Sequence, residues 1–382
     1  MLRPEQFQRL ASIQDRPCIS IYSPTGASGS EASGDPIRLK NGVQEAERRL
    51  VELGFDARAT GPLLAPAREV LAELSPATYA DGTLAMLLGG GAAEILHVPV
   101  RVEPQVFVSD RLHLKPLLPV LTENARFYVL AASQNAVHLL ECDRFAERER
   151  SLAGTTTPTS LAAAVPASQP PEGLQARTTG SRPGGHEAMF HGYGPESQLR
   201  HHQLLRFLRE VSEGIAPLLD GQSPLVFAGV DELFAIYREA SAYEHVAQAN
   251  ISGNPEHVRP EELRARGWEI VSAAMEQRIA DAHEAFGVLG ARGRATDDVK
   301  AAVLAARDGL AGTIIGATDR VVWGRVSEDG TEVEYRAQPD PWDYDLIDYA
   351  ALQVIAYSGT ALMVPGERVP GNGHGLAALL RY

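Results

Sequence analysis

Between residues 155 and 195 this chain has almost nothing from which to build a core. The stretch is rich in Thr, Pro, Gly and Ser and poor in large apolar side chains, so it buries too little surface to offset the entropy of ordering it. A loop of that length inside a compact domain is either functional or disordered. It is expected to be the most mobile internal segment, with Ala188-Met189-Phe190 as an apolar anchor near its end. A helical pattern succeeds it over residues 196–219. Leu199, Leu204 or Leu205, Leu208, Val211 and Ile215 recur at helical spacing and predict the core-facing stripe, leaving Arg200, Arg206 and Arg209 outside.

The charge of this region runs against the rest of the chain. From Arg177 to Arg209 there are five Arg against two Glu, and four of the eleven His. The whole chain has a formal net charge of −14. A basic strip on an acidic body focuses on one anionic surface, and RNA is the obvious candidate. The alternative is a solvated loop leading into an ordinary surface helix. The acidic total excludes a general nucleic-acid coat protein, and DNA is not expected as a partner.

With 382 residues there is material for two or three domains, each with a core. The content of 44% hydrophobic and 22% charged residues is that of a soluble globular protein. Cys18 and Cys142 lie in apolar, strand-like runs without a CxxC partner, so neither a disulfide framework nor structural zinc is expected. No apolar signal core and no run of 18 apolar residues occurs. A cytoplasmic location without a membrane partner is expected.

Three blocks emerge along the chain, with boundaries near Leu121 and Tyr243. The first, 1–120, has a β-branched run at 17–22, then Asp35-Pro36 as a helix start with Asp as N-cap. Ile37, Val43, Ala46 and Leu50 mark one side of that helix. A second helix over 63–74 precedes strands at 83–88, 93–98 and 106–108. Gly89-Gly90-Gly91 lacks the Gly-Lys-Ser/Thr of a phosphate loop and predicts a hairpin turn. The second block, 121–243, has strands at 126–133 and 136–142 joined through Gln134-Asn135, a third at 144–152, the basic helix, a buried strand at 225–229 and a helix at 232–239. The third, 244–382, opens with a long helix over 260–286 and continues with a helix to Arg307, strands at 312–317 and 320–326, an acidic loop at 327–340, a helix at 345–357, and strands near 361–364 and 377–382. This alternation predicts an α/β protein whose last block is a three-layer α/β/α domain.

Two polar groups stand apart. Asp110, Arg111, His113 and Lys115 predict an ion-pair network where the first block meets the second, with an anion or RNA site as the alternative. Asp343, Asp345 and Asp348 lack the glycine and terminal Glu of a calcium loop and fit an acidic helix N-terminus. No histidine spacing suits a metal, so neither a metal nor any other cofactor is expected.

Asp35-Pro36-Ile37-Arg38-Leu39-Lys40-Asn41, the run from Asp110 to Pro119 (DRLHLKPLLP), Phe127-Tyr128-Val129-Leu130 with Ser133-Gln134-Asn135, Ala188-Met189-Phe190-His191-Gly192, and Ile236-Tyr237-Arg238-Glu239-Ala240 resemble the bacterial archaeo-eukaryotic release factor families. These are bacterial relatives of the class-one release factor and Pelota. The resemblance implies three α/β domains: an N-terminal α/β domain, an RNase-H-like middle domain, and a Pelota-like C-terminal domain of the kink-turn-binding ribosomal-protein type. In the eukaryotic release factor a Gly-Gly-Gln loop precedes a basic helix containing Arg-Phe. Here Gly184-Gly185-His186 takes that place, and Arg206-Phe207 lies in the helix.

Glycines let such a loop approach the ester at the tRNA end, where a backbone N–H can donate to the developing oxyanion. His186 keeps that N–H and replaces the carboxamide with an imidazole able to orient water or act as a base. His191 is an alternative focus, or a turn-stabilising residue beside Phe190. Arg200, His201, His202, Arg206 and Arg209 are the expected phosphate contacts. Three functions stay open: a ribosome-associated translation factor of the release, rescue or dormancy type that acts by binding, a hydrolase releasing peptide from tRNA through Gly184, Gly185 and His186, and an interaction protein on a retained fold without a ribosomal role. For the first two the partners are the ribosome, ribosomal RNA or tRNA, with another translation factor as a candidate.

Overall fold

A computed structural model describes residues 4–26, 33–74, 81–98, 100–119, 126–164, 195–371 and 373–382. The chain divides into two compact units: Met1–Asn124 together with Met275–Tyr382, and Ala125–Ala274. Both are mixed α/β structures, the class expected.

The first unit starts with helix α1 (Pro4–Ala11) and strand β1 (Gln14–Thr25), followed by α2 (Asp35–Glu52), α3 (Ala57–Glu73), β2 (Gly82–Gly89), β3 (Ala92–Val98) and β4 (Gln105–Arg111). The strands form an antiparallel sheet in the order β3-β2-β1-β4. Both faces of β1 are buried, because its residues alternate between two cores. Ile19 and Ile21 join Leu84, Met86, Leu88 and Val106 under α2 and α3. Cys18 and Tyr22, with Ala85 and Leu87, belong instead to a cluster containing Phe7, Leu10 and Leu112. In α2 the buried row is Leu39, Val43, Ala46 and Leu50, whereas Ile37, expected in it, is 63% exposed. The i, i+4, i+7 spacing selects Leu39 and leaves Ile37 on the opposite side. Asp35 is not the cap of α2; it lies in the first turn, and its carboxylate accepts from the Gly26 N–H and pairs with Arg38. The glycine run makes the expected hairpin: Gly90 and Gly91 take φ of 58° and 72°, the left-handed pair that a two-residue turn between twisted strands requires.

The second unit has β5 (Phe127–Ala132), β6 (Val137–Cys142), β7 (Glu147–Arg150), a short helix α4 (Leu161–Ala164), α5 (Pro195–Ile215), β8 (Leu225–Gly229), α6 (Asp231–Ala240) and β9 (Ile251–Ser252). Its sheet runs β7-β6-β5-β8-β9, with β6 antiparallel to both neighbours and β5, β8 and β9 parallel. With its strands counted in chain order from β5, this is the sequence 3-2-1-4-5 of an RNase-H-like sheet. The chain stays in this unit past Tyr243, where the sequence placed a boundary. Leu225 N–H donates to the His245 carbonyl at 2.9 Å, and β9 extends the sheet. Glu256 then accepts from Ser133 Oγ and Asn135 Nδ2 at the hairpin tip, at 2.7 and 2.9 Å. The break falls instead within the long helix α7 (Pro260–Gly290), at 274/275.

The remaining elements return to the first unit: β10 (Ala295–Thr296), α8 (Val299–Arg307), β11 (Ala311–Ala317), β12 (Trp323–Val326), β13 (Val333–Arg336), β14 (Tyr344–Asp345), α9 (Leu346–Ala356), β15 (Thr360–Val364) and β16 (Leu376–Leu380). A four-stranded sheet has the order β10-β16-β11-β15, and a three-stranded one the order β13-β12-β14. Strand β13 lies in the stretch expected to be an acidic loop. Helices α8 and α9 pack on each other and on the larger sheet. Ala302, Val303 and Ala306, Ile314 and Ile315, and Ile347, Ala350 and Val354 merge with Phe7, Leu10, Tyr22 and Leu114 into one contiguous core. Residues 1–124 and 275–382 therefore fold as one body around a shared interior.

Candidate nucleic-acid interface

Helix α5 is held by its apolar row. Leu204, Phe207, Leu208, Val211 and Ile215 are all buried, in one cluster with Tyr128, Leu130 and Phe227 of the sheet and Phe234 and Tyr237 of α6. Burial of five such side chains at about 1.5–3 kcal/mol each fixes the rotation of the helix. Gly214 sets the approach of the preceding chain, since a Cβ there would come within 2.4 Å of Thr157 Oγ1. Leu199 departs from the expected stripe: it is 61% exposed, because it stands three and seven positions before His202 and Arg206 and so falls on the outer face, while Phe207 belongs to the buried row.

This rotation leaves Arg200, His201, His202, Arg206 and Arg209 all exposed. His202, Arg206 and Arg209 are spaced i, i+4, i+7 and share a face away from the buried row. Arg206 Nε lies 2.9 Å from Glu210 Oε1, a solvent-exposed pair of small energetic weight. His201 Nε2 is 3.9 Å from Glu239 of α6. Arg200 and Arg209 have no ion pair among the described residues. Arg206 and Arg209 thus share the outer face with His202, while Arg200, two positions before His202, is exposed on another side of the helix. Gly184, Gly185 and His186, and with them Ala188-Met189-Phe190 and His191, lie outside the described residues.

Residues 127–273 match the family model of bacterial archaeo-eukaryotic release factor family 7. The matched segment coincides with the second unit and contains the whole of α5, so the family resemblance read from the sequence holds for the part that carries the basic helix. The chain is also similar to the solved archaeal translation termination factor aRF1 (14% identity, 99% of this chain and 96% of that one, TM-score 0.24). It is similar to Dom34 of S. cerevisiae, a translation termination-like factor interacting with Hbs1 (10%, 78% and 79%, TM-score 0.38), and to archaeal Pelota in a ribosome-bound complex with ABCE1 (8%, 98% and 93%, TM-score 0.36). Among curated proteins none matches the sequence.

The second polar constellation lies in the other unit, outside the segment that matches the family model. The sequence placed Asp110, Arg111, His113 and Lys115 at a junction of the first block with the second, but the partners that Arg111, His113 and Lys115 take from beyond the first block come from residues 320–349. Lys115 Nζ lies 2.5 Å from Asp345 Oδ2 and also donates to the Arg320 carbonyl. Asp345 caps α9, its Oδ1 accepting from Ile347 N–H at 3.0 Å and from Val322 N–H at 3.2 Å. Asp348 Oδ1 accepts from Leu114 N–H at 3.0 Å. The His113 ring lies beside the other oxygen of Asp348 at 3.7 Å and stacks on Phe107 with ring centroids 3.6 Å apart, and the His113 backbone N–H donates to Ser20 Oγ. Arg111 pairs with Asp110 and lies 4.0 Å above the Tyr344 ring.

His113, Lys115, Asp345 and Asp348 are all buried, and burial governs the titration of His113 and Asp348. It pushes the Asp348 carboxyl up to about 8, helped by the neighbouring Asp345. It holds His113 well below the usual imidazole range, helped by Lys115. A cluster sealed in this way has no access for substrate and acts as a clamp between residues 113–115 and α9. The acidic triad thus divides into a helix cap, a buried neutral acid and Asp343. Burial likewise raises the thiols of Cys18 and Cys142, to about 11 and about 12, so neither is a ready nucleophile. Among the described residues no group of three His, Cys, Asp or Glu side chains could hold a metal ion, and no helix is long and apolar enough to cross a membrane.

Proposed function

We propose that the protein is a cytoplasmic, ribosome-associated translation factor of the release, rescue or dormancy type, acting by binding ribosomal RNA or tRNA through the exposed face of α5. The observation that carries this reading is the set of exposed cations on α5, within the segment that matches the release factor family. Arginine forks suit phosphate oxygens, and such contacts position a protein on RNA without reading its sequence. The net charge of −14 keeps the rest of the surface from competing for the same polyanion. Further translation factors as partners belong to the same proposal.

The test is co-sedimentation with purified ribosomes across a salt series. Replacing Arg200, Arg206 and Arg209 together with Glu should abolish co-sedimentation, and the circular dichroism and melting of the variant should match the unmodified protein, because exposed charges contribute little to folding. For single changes to Gln, each lost phosphate contact should flatten the slope of log affinity against log salt by about 0.7–0.9. Wild-type binding by the folded triple variant would sink the assignment, and no binding by the unmodified protein in low salt would favour an interaction protein without a ribosomal role.

Peptide release from tRNA is the second reading, motivated by Gly184-Gly185-His186 standing where the release loop has Gly-Gly-Gln. On that reading His186→Ala leaves co-sedimentation unchanged and lowers the rate of peptide release. Equal release by the variant and the unmodified protein would count against it.

A further inference from the structure

The basic face of α5 does not end at Arg209. One turn further on, a groove of about 350 Å³ opens between the end of α5 and the end of α6. Arg209 and Glu213 stand at it, Ala216, Leu219 and Ala240 supply methyl groups, and Tyr243 contributes an aromatic wall. The Tyr243 ring is fixed: its hydroxyl donates to the Ser223 carbonyl at 2.6 Å, and His245 lies edge-on to it at 5.7 Å. Ser212 and Ser241, hydrogen-bonded to each other at 3.1 Å, tie the two helix ends together beside the groove.

We infer that this groove receives one unpaired nucleobase of an RNA strand whose phosphates lie along His202, Arg206 and Arg209. The inference rests on the phosphate-binding reading of α5 and names the next contact along the same ligand. Three features select a base over other occupants. The groove is continuous with a row of cations, so what reaches it is attached to a polyanion. Its walls are apolar and include an immobilised aromatic ring, the surface on which splayed-out bases stack irrespective of sequence. Glu213 follows Arg209 on the same face at i+4, and its carboxylate repels phosphate while accepting hydrogen bonds from ring N–H or exocyclic amino groups. The order of groups, cation then carboxylate then apolar wall, matches the order of phosphate and base in a strand turned inward. A duplex keeps its bases stacked and presents none to such a groove, so single-stranded or looped RNA is the substrate class.

The test compares two labelled oligonucleotides by fluorescence anisotropy with the full chain: a short single-stranded RNA, and a strand of the same length in which the bases are replaced by abasic residues. Stacking of one base predicts that the intact strand binds about tenfold tighter. Ala216→Trp fills the groove from its solvent side and should remove that ratio while leaving the affinity for the abasic strand and its salt dependence unchanged. Tyr243→Leu, which keeps bulk and removes the aromatic face, should reduce the ratio in the same way. Equal affinities of the unmodified protein for the two strands would leave the groove to a protein side chain and overturn the inference, with the arginine assignment still standing. A preference for the intact strand that survives Ala216→Trp would overturn it as well. Failure of both strands to bind would remove the phosphate-binding reading and this inference with it.

Discussion

Replacing Lys115 with Met is expected to destabilise the unit built from residues 1–124 and 275–382 by about 3–5 kcal/mol, the usual cost of leaving one charge of a buried pair without its partner. Lys115 and Asp345 are both buried, with Nζ and Oδ2 2.5 Å apart. The same ammonium holds the Arg320 carbonyl. Methionine matches the stem but satisfies neither oxygen. Urea unfolding should show a lower midpoint in a transition that leaves the signal of residues 125–274 intact. Lys115→Met combined with Asp345→Asn should recover a large part of the loss, because the amide oxygen can still cap α9 and no charge is stranded. Equal stability of the single and double variants would show that the ion pair is not what Lys115 contributes.

The second expected result concerns pH. Asp348 titrates near 8 in the fold and near 3.9 when unfolded. Between those values the native state holds a proton that the unfolded chain has released, so this group's contribution is fully present below about pH 4 and is lost as pH rises towards 8. His113 works in the other direction: its folded value lies below the ordinary 6.5, so its contribution is present above about pH 6.5 and is lost as the pH falls. Asp348→Asn keeps an oxygen for the Leu114 N–H and removes the acid. Relative to the unmodified protein, its melting temperature should therefore rise steadily between pH 4 and 8, by an amount equivalent to several kcal/mol. Only the low-pH loss from His113 should survive. Parallel melting curves across that range would show that Asp348 ionises in the fold as freely as in the unfolded chain. Lys115, Asp345, His113 and Tyr22 are the titratable groups around Asp348, so the pH dependence should be read as the difference between Asp348→Asn and the unmodified protein.

Local signals carried most of the fold. Gly90-Gly91 between two apolar runs is read correctly because turn chemistry acts over a few residues. The basic helix was legible for the same reason, since a guanidinium that must stay hydrated marks the outer face of a helix wherever it packs. Leu199 shows the limit of that argument. At 3.6 residues per turn it falls among the cations, five and nine positions from Leu204 and Leu208, so an apolar residue near the stripe is counted into it although its spacing puts it outside. Strand β13 was missed because its four residues alternate charge with a half-exposed Tyr335 in a three-stranded sheet edge. The clamp was invisible for a deeper reason. Lys115 and Asp345 are 230 positions apart, and each alone has the composition of a surface. Tyr243, in the groove beside α5, carried no signal at all until the ends of two helices met beside it.

The interleaving of the first unit constrains how the chain can be made. Strand β16 (376–380) lies inside its sheet, between β10 and β11, and is laid down after every other strand. The core that receives Phe7, Leu10 and Tyr22 cannot close until the residues of β16 leave the ribosome, about 250 residues behind the N-terminal sheet, which at roughly 5–20 residues per second means a wait of tens of seconds. The unit at 125–274 meets no such delay. During synthesis, then, the N-terminal sheet presents its second face uncovered after the segment bearing the basic helix has already emerged.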